Sequence, residues 1–122
     1  MATILVVEDE LSIATLLRDM LQDEGYAVML AQNGRAALDM LEASPPDLVV
    51  SDVMMPLLDG LQLCRMLAEH ADHANIPIIL MSALAVPANQ ESCHYIAFFQ
   101  KPFDVDLVLN TIANIIGNAN HA

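Results

Sequence analysis

Basic residues are scarce in this sequence. Only 4 lysines and arginines stand against 16 acidic residues, which gives a formal net charge of −12. A surface of this kind repels nucleic-acid phosphates and anionic lipids. We therefore expect no direct nucleic-acid partner and no membrane surface as a partner.

The sequence also lacks an apolar run long enough to cross a membrane. The longest, residues 76 to 86, is broken by Pro77 and Ser82. It falls short of the roughly 18 to 20 residues that a spanning helix needs. The amino-terminal segment MATILVVEDE has no basic region and soon reaches acidic residues, so no secretory signal is visible. These absences predict a cytoplasmic location.

Cysteine and glycine are sparse, with 2 and 4 copies. Cys64 and Cys93 lie far apart in a chain without a visible export signal, so free buried thiols are predicted rather than a disulfide. No glycine-rich phosphate loop is present, which argues against a nucleotide-binding or flavin-binding protein. His70 and His73 have a spacing compatible with a metal site, but without adjoining ligands a solvated helix end is favoured.

What the sequence does contain is a regular alternation of two apolar patterns. Its apolar fraction of 56% and its length of 122 residues predict one domain, residues 1–122, with a well-filled core. Short continuous apolar runs are typical of strands buried on both faces of a parallel sheet. Five such runs occur, at residues 4–7, 27–31, 48–50, 78–81 and 96–99.

Amphipathic helical stretches separate these runs. The first stops at Gly25, the second covers residues 34–43, the third begins near Gly60, and the last, which Asp104 can cap, ends before Gly117. Between residues 83 and 95 the pattern supports only a short or irregular helix. Strands that alternate with helices in this way predict an α/β fold, with a doubly wound five-stranded parallel sheet and helices on both faces.

Polar residues stand at the carboxyl ends of the predicted strands, where such a sheet builds its functional site. They are Glu8, Asp9 and Glu10 after the first strand, Asp52 after the third, Ser82 after the fourth and Lys101 after the fifth. Taken singly, each could be a solvated loop residue, a helix cap or part of a turn. Their joint occurrence at strand ends favours one shallow cleft that contains all of them.

Carboxylates held so close together need a cation. At about 4 Å each pair repels by roughly 4 kcal/mol at an effective dielectric near 20. Mg²⁺ relieves that repulsion and suits carboxylates, a carbonyl, waters and a phosphate oxygen as ligands. With Lys101 as a second positive charge, the cleft would stabilise a phosphoryl group while the Asp52 carboxylate attacks it. The expected product is an aspartyl phosphate.

Five short motifs carry a family resemblance. They are VVEDE at 6–10, SDVMMP at 51–56, DG at 59–60, MSA at 81–83 and KPF at 101–103. In this order they strongly resemble the receiver domain of two-component response regulators, whose fold is that of the chemotaxis regulator CheY. Each motif alone is weak, but five at successive strand ends are specific, and they cover essentially the whole chain. The resemblance implies a flavodoxin-like strand order of 2-1-3-4-5.

The resemblance also implies which residues hold the metal and accept the phosphoryl group. Asp52 would be the phosphoacceptor and a metal ligand. Asp9 would be a direct Mg²⁺ ligand, Glu8 a ligand acting largely through water, and the main-chain carbonyl of Met54 a further ligand.

Three other positions correspond to residues that sense the phosphoryl group. By resemblance, Lys101 would contact that group, and its bond to Pro102 would be cis. Ser82 would hydrogen-bond the phosphoryl oxygen, and Phe98 would be the switch aromatic that turns inward. The signal would then reach a surface formed by the fourth helix, the fifth strand and the last helix.

The function implied is a phosphorylatable signalling switch of a two-component system. It would take its phosphoryl group from a histidine kinase or a histidine phosphotransfer protein and control an unidentified downstream protein. It would not be an enzyme with a separate substrate, since it would catalyse only its own phosphorylation and slow dephosphorylation. A homodimer through the output surface is compatible with the sequence.

Two departures from the family pattern bear on this function. His94 and Tyr95 stand where the family usually has a small Gly-Ala pair, and the segment before them is short. The alternative is therefore a pseudo-receiver module that docks partners without phosphorylation. Met54 and Leu84, two residues beyond Asp52 and Ser82, are apolar and cannot orient an attacking water, which predicts slow self-dephosphorylation.

Overall fold

The computed structural model describes residues 1–84 and 93–120, the last three of them by their backbone alone. The strands are β1 (Thr3–Val7), β2 (Ala27–Ala31), β3 (Leu48–Asp52), β4 (Ile78–Ser82) and β5 (Ala97–Gln100). The helices are α1 (Leu11–Asp23), α2 (Gly34–Ala43), α3 (Gly60–Glu69) and α4 (Val105–Asn120). None of these helices is both long enough and apolar enough to cross a bilayer.

All five strands run parallel in one sheet, in the order β2-β1-β3-β4-β5. This confirms the predicted fold class and strand order. Every residue of β3 and β4 is buried, as expected for central strands that are covered on both faces. The chain crosses from β2 over β1 to β3, so the strand order reverses next to β1 and opens a cleft at the carboxyl ends.

Each face of the sheet packs on two helices and forms one core layer. The first core layer joins the sheet to α1 and α4 through residues such as Leu17, Leu21, Val108 and Ile112. The second core layer joins the opposite face to α2 and α3 through residues such as Ala37, Leu41, Leu63 and Leu67. Successive strand residues therefore enter different layers, which explains why the strands are apolar at nearly every position.

The helix ends follow the local sequence. Asn33 accepts a hydrogen bond from the Ala36 N–H at 2.8 Å and so caps α2. Asp59 and Gln62 form a reciprocal capping box at the start of α3. The predicted end of the last helix before Gly117 is wrong, because α4 continues to Asn120. The cost of a mid-helix glycine is only about 1 kcal/mol, and packing of the apolar face of α4 outweighs it.

The predicted fourth helix, within residues 83–95, falls mainly on residues 85–92 and so lies outside the described residues. Residues 93–95, directly before β5, have no regular secondary structure.

Cys64 and Cys93 form a disulfide, so the prediction of two free thiols is wrong. Cys64 lies on the buried face of α3 and Cys93 in the stretch that leads into β5. Both belong to the second core layer, and their Cα atoms are 5.3 Å apart. The 29-residue separation in sequence hid this contact, because the pairing arises from the tertiary packing of the β4–β5 connection on α3.

Candidate functional site

The predicted site residues meet at the carboxyl edge of the sheet. Glu8 and Asp9 directly follow β1, and Lys101 directly follows β5. Asp52 and Ser82 are themselves the last residues of β3 and β4, one or two residues beyond the predicted strand ends. Since β1, β3, β4 and β5 are successive neighbours in the sheet, these residues lie along one edge of it.

Three carboxylates form a compact cluster at this edge. Oxygen atoms of Glu8, Asp9 and Asp52 all lie within 4.8 Å of one another. Glu8 and Asp52 are 2% and 6% exposed, whereas Asp9 faces solvent. This donor set contains only oxygen and has one open side, so it fits Mg²⁺, which prefers oxygen ligands and keeps several waters. In the described part of the chain, no other group of three acidic, histidine or cysteine side chains converges in this way.

The ammonium group of Lys101 lies between two of these carboxylates. Its Nζ donates a hydrogen bond to Glu8 Oε1 at 2.7 Å and lies 3.3 Å from Asp52 Oδ2. Sequence reasoning placed Lys101 in the site but did not predict Glu8 as its nearer partner. One positive charge cannot balance three carboxylates, so the cluster retains net negative charge.

The pKa values of Glu8 and Lys101 are both raised, which favours the neutral form of Glu8 and the charged form of Lys101. Burial raises the pKa of Glu8, and the hydrogen bond from Lys101 offsets this only in part. Burial alone would lower the pKa of Lys101, but its hydrogen bond to Glu8 and the charge of Asp52 hold that pKa above its ordinary value. The lysine is therefore a fixed positive charge at neutral pH.

Gly60 holds the loop after β3 against the phosphoacceptor candidate. Its N–H donates to the Val53 carbonyl at 2.8 Å. A Cβ at this position would collide with the main-chain oxygen of Asp52 and would lie 2.9 Å from the Cα of Val53. The sequence predicted Gly60 as a motif residue near the start of the third helix but not its contact with β3, although the Asp-Gly pair could have indicated such a close approach.

Ser82 and Lys101 are tied together through the main chain. The Lys101 N–H donates to the Ser82 carbonyl at 2.7 Å, and the Ser82 hydroxyl oxygen accepts from the Leu84 N–H at 3.1 Å. The Lys101–Pro102 peptide bond is cis, which confirms that prediction. Ser82 is buried at the end of β4, and β4 is the neighbour of β3, the strand that ends at Asp52.

The remaining predicted residues lie around this centre. Phe98 is half-buried in β5, with its ring centroid 6.2 Å from that of Tyr95. The Met54 side chain is 58% exposed in the loop after β3, and a metal-binding role for its carbonyl stays a prediction. His70 and His73 stack with centroids 4.1 Å apart; His70 is exposed, but His73 is buried, so the predicted solvated helix end is wrong for His73.

A family model agrees with this geometry. Residues 4–113 match the model described as the response regulator receiver domain. This chain belongs to that family. The match covers every predicted site residue, from Glu8 to Lys101.

Individual receiver relatives support the assignment at different lengths. The polar-differentiation response regulator DivK of Brucella anthropi is 30% identical over 122 residues, covering 96% of this chain and 98% of DivK. The response regulator MprA of Mycolicibacterium vanbaalenii is 49% identical over 80 residues, covering 66% of this chain. That match spans only 34% of the length of MprA.

Solved receiver structures have the same fold. The receiver domain of a signal transduction histidine kinase from Syntrophus aciditrophicus is 32% identical, with a TM-score of 0.92 over 100% of this chain and 95% of that one. The receiver domain of a sensor histidine kinase from Pseudomonas aeruginosa is 28% identical, with a TM-score of 0.85 over 95% and 98% of the two chains. That domain was crystallised with a magnesium ion coordinated in its active site cleft.

Proposed function

We propose that this receiver domain is a phosphorylatable switch of a two-component system. It accepts a phosphoryl group on Asp52 from a histidine kinase or a histidine phosphotransfer protein. The observation that carries the proposal is the convergence of Glu8, Asp9 and Asp52 within 4.8 Å, with the Lys101 ammonium 3.3 Å from Asp52. The domain acts on itself and has no separate substrate, so we do not class it as an enzyme.

Each site residue has a defined part in the transfer. The Asp52 carboxylate attacks phosphorus while the P–N bond to the donor histidine breaks and its imidazole leaves, and Lys101 balances the charge on the phosphoryl oxygens. Glu8, Asp9, Asp52 and the Met54 carbonyl would hold Mg²⁺, which neutralises the charge that develops on the transferring group. The Ser82 hydroxyl oxygen accepts from the Leu84 N–H, and its own O–H can then donate to a phosphoryl oxygen.

The signal leaves through the strand next to Ser82. Movement of Ser82 pulls on β5, because the Lys101 N–H is bonded to the Ser82 carbonyl. Phe98 and its neighbours on β5 and α4 change their surface, and a downstream protein reads that change. The acidic surface disfavours nucleic acid and membrane as partners, and a cytoplasmic location follows from the phosphodonor. A homodimer through this surface is compatible with the proposal.

Acetyl phosphate with Mg²⁺ tests the phosphoacceptor directly. Intact mass should show one added phosphoryl group on the wild-type chain and none on Asp52→Asn. Absence of the adduct on the wild type would favour the alternative, a pseudo-receiver that docks partners without phosphorylation. An adduct on Asp52→Asn would place the phosphoryl group elsewhere.

The lifetime of the aspartyl phosphate provides an independent test. Met54 and Leu84, two residues beyond Asp52 and Ser82, are apolar and are 58% and 60% exposed. They cannot position a hydrolytic water, so decay should be slow, and polar replacements such as Met54→Asn and Leu84→Asn should accelerate it. Loss of the wild-type adduct within seconds, followed by intact mass, would contradict this.

A further inference from the structure

The disulfide between Cys64 and Cys93 has no part in the phosphoryl chemistry. Both side chains are 2% exposed and pack in the second core layer. Cys64 lies within α3, where helix hydrogen bonds fix its backbone, whereas Cys93 lies in a stretch without regular structure. Local opening at Cys93 does not require a helix to unwind, unlike opening at Cys64, so we expect a reductant to reach the bond from the Cys93 side.

Both ends of this cross-link lead to the phosphorylation site through short stretches of chain. Cys93 precedes Tyr95, whose ring contacts Phe98 on β5, and β5 ends next to Lys101. Cys64 lies one helical turn beyond Gly60, which is bonded to the Val53 carbonyl next to Asp52. The bond thus connects the stretch before β5 to the helix that follows Asp52.

We propose that Cys64 and Cys93 form a reversible dithiol–disulfide pair that limits how far the segment before β5 responds to phosphorylation. The proposal rests on the proposed function, because a cytoplasmic phosphodonor places the chain where thiols are kept reduced. Disulfides in that compartment are mostly transient and redox-sensing rather than permanent braces. The bonded form holds Tyr95 and Phe98 against the second core layer, and the dithiol form releases them.

The redox step needs a thiol partner and balances with a thioredoxin-class dithiol. Its thiolate attacks one sulfur of the pair, which forms a mixed disulfide and releases the other sulfur as a thiolate that takes up a proton. Its second thiol then displaces the first cysteine, leaving two protein thiols and an oxidised reductant. A disulfide of the glutathione class reverses the reaction by taking up the two electrons and two protons.

Thiol trapping on the folded full chain tests reversibility. The chain is treated with dithiothreitol or with glutathione disulfide under native conditions, quenched, alkylated and weighed intact. The reduced form should accept two alkyl groups and the oxidised form none, and the two forms should interconvert repeatedly. Cys93→Ala is the matched control, because its single thiol cannot form the internal bond. A bond that is reduced only after denaturation, or thiols that never pair in the folded chain, would overturn the proposal.

Amide hydrogen exchange tests the coupling to phosphorylation. Residues 93–100 should show a several-fold larger change in exchange on addition of acetyl phosphate and Mg²⁺ in the reduced chain than in the oxidised chain. The double variant Cys64→Ala/Cys93→Ala should behave like the reduced chain under both redox conditions. Equal changes in both redox states would overturn the coupling.

The two proposals fail in distinguishable ways. Intact mass reports the aspartyl phosphate in each redox state, independently of the exchange data. Phosphorylation without a redox effect defeats only this inference and leaves the proposed function intact. No phosphorylation in either state defeats the proposed function and the coupling together, while thiol trapping alone still decides whether the pair is reversible.

Discussion

At Glu8, burial and the hydrogen bond from Lys101 shift the pKa in opposite directions, and burial is the larger effect. Its pKa is raised by burial, and the nearby Asp52 charge adds to that effect. The folded chain therefore binds a proton on Glu8 at pH values where the unfolded chain, with an ordinary pKa of 4.5, has lost it. Consequently, the free energy of unfolding of the metal-free protein should decrease as the pH rises from 4.5 through the raised pKa.

Glu8→Gln tests this pH dependence. The amide resembles the protonated carboxyl group and can still accept a hydrogen bond from Lys101, so the slope in that window should flatten and metal-free stability at neutral pH should rise. Urea unfolding with a chelator, repeated across the acid range, measures both effects. Glu10→Gln, at an exposed neighbouring acid, should keep the wild-type slope. A wild-type curve with no slope in the window would contradict the argument.

Leu57 is the one non-glycine residue with positive φ among the described residues. Its φ is 71°, and the Leu58 N–H bonds to the Pro56 carbonyl across it, as in a tight γ-turn. The side chain is 83% exposed, so no packing compensates for the backbone strain.

Leu57→Gly should therefore stabilise the protein by about 1 kcal/mol. Glycine relieves the backbone strain of the folded state, and this gain exceeds the cost of the higher conformational entropy that glycine gives the unfolded chain. Thermal or urea unfolding measures the change. Leu57→Ala keeps a Cβ and should remain close to wild type. Equal stability of the glycine and alanine variants would show that the turn is not strained.

At the scale of elements, two helical glycines have opposite roles. A Cβ on Gly60, at the start of α3, meets the backbone of β3, whereas a Cβ on Gly117 in α4 meets nothing within 4 Å. Gly60→Ala should cost about 2 kcal/mol, since the overlap is with the main chain, and should slow phosphorylation of Asp52. Gly117→Ala should gain about 0.5 to 1 kcal/mol from helix propensity, with phosphorylation unchanged.

These two variants form a matched pair because the substitution is the same. Chemical denaturation gives their stabilities, and labelling with acetyl phosphate gives their phosphorylation rates. A Gly60→Ala protein that is labelled as fast as wild type would show that α3 does not position Asp52.

The five strands could be predicted from the sequence, but the exact end of β3 could not. Strands β1 to β5 were predictable because each is a continuous apolar run, and buried parallel strands require that pattern. The extension of β3 to Asp52 was not predictable from hydrophobicity, because a polar residue that ends a strand resembles one that begins a loop. Main-chain bonds settle the difference, including the Val53 N–H to the Met81 carbonyl at 2.7 Å.

The sequence predicted which residues form the candidate site, but not which of them contact each other. The carboxyl ends of parallel strands lie at the same edge of a sheet, so the topology alone brings Glu8, Asp52 and Lys101 close together. Which carboxylate binds the ammonium more closely depends on distances of tenths of an ångström. The Cys64–Cys93 bond was missed for a related reason, since compartment arguments from composition carry no information about which side chains pack together.

At the scale of the whole molecule, the net charge of −12 and the acid cluster act together. General repulsion over the surface opposes the compact state, and any salt reduces it because the Debye length is about 8 Å at 0.15 M. The cluster of Glu8, Asp9 and Asp52 adds a local repulsion within 4.8 Å, far inside that length. Monovalent salt should therefore stabilise the protein only in part, and a site-bound divalent cation should do more.

Stability in MgCl₂ and NaCl at equal ionic strength separates these two effects. Mg²⁺ at a hundredfold excess over its Kd should add about 2.7 kcal/mol beyond the NaCl value, because it binds only the folded state. Asp52→Asn should raise stability without metal, since it removes one crowded carboxylate, and should shrink the magnesium increment. Asp23→Asn, at an exposed acid at the end of α1, changes the net charge equally but should keep the full increment. If all three proteins gained equally from Mg²⁺, the stabilisation would come from general screening, and the cluster would not be a metal site.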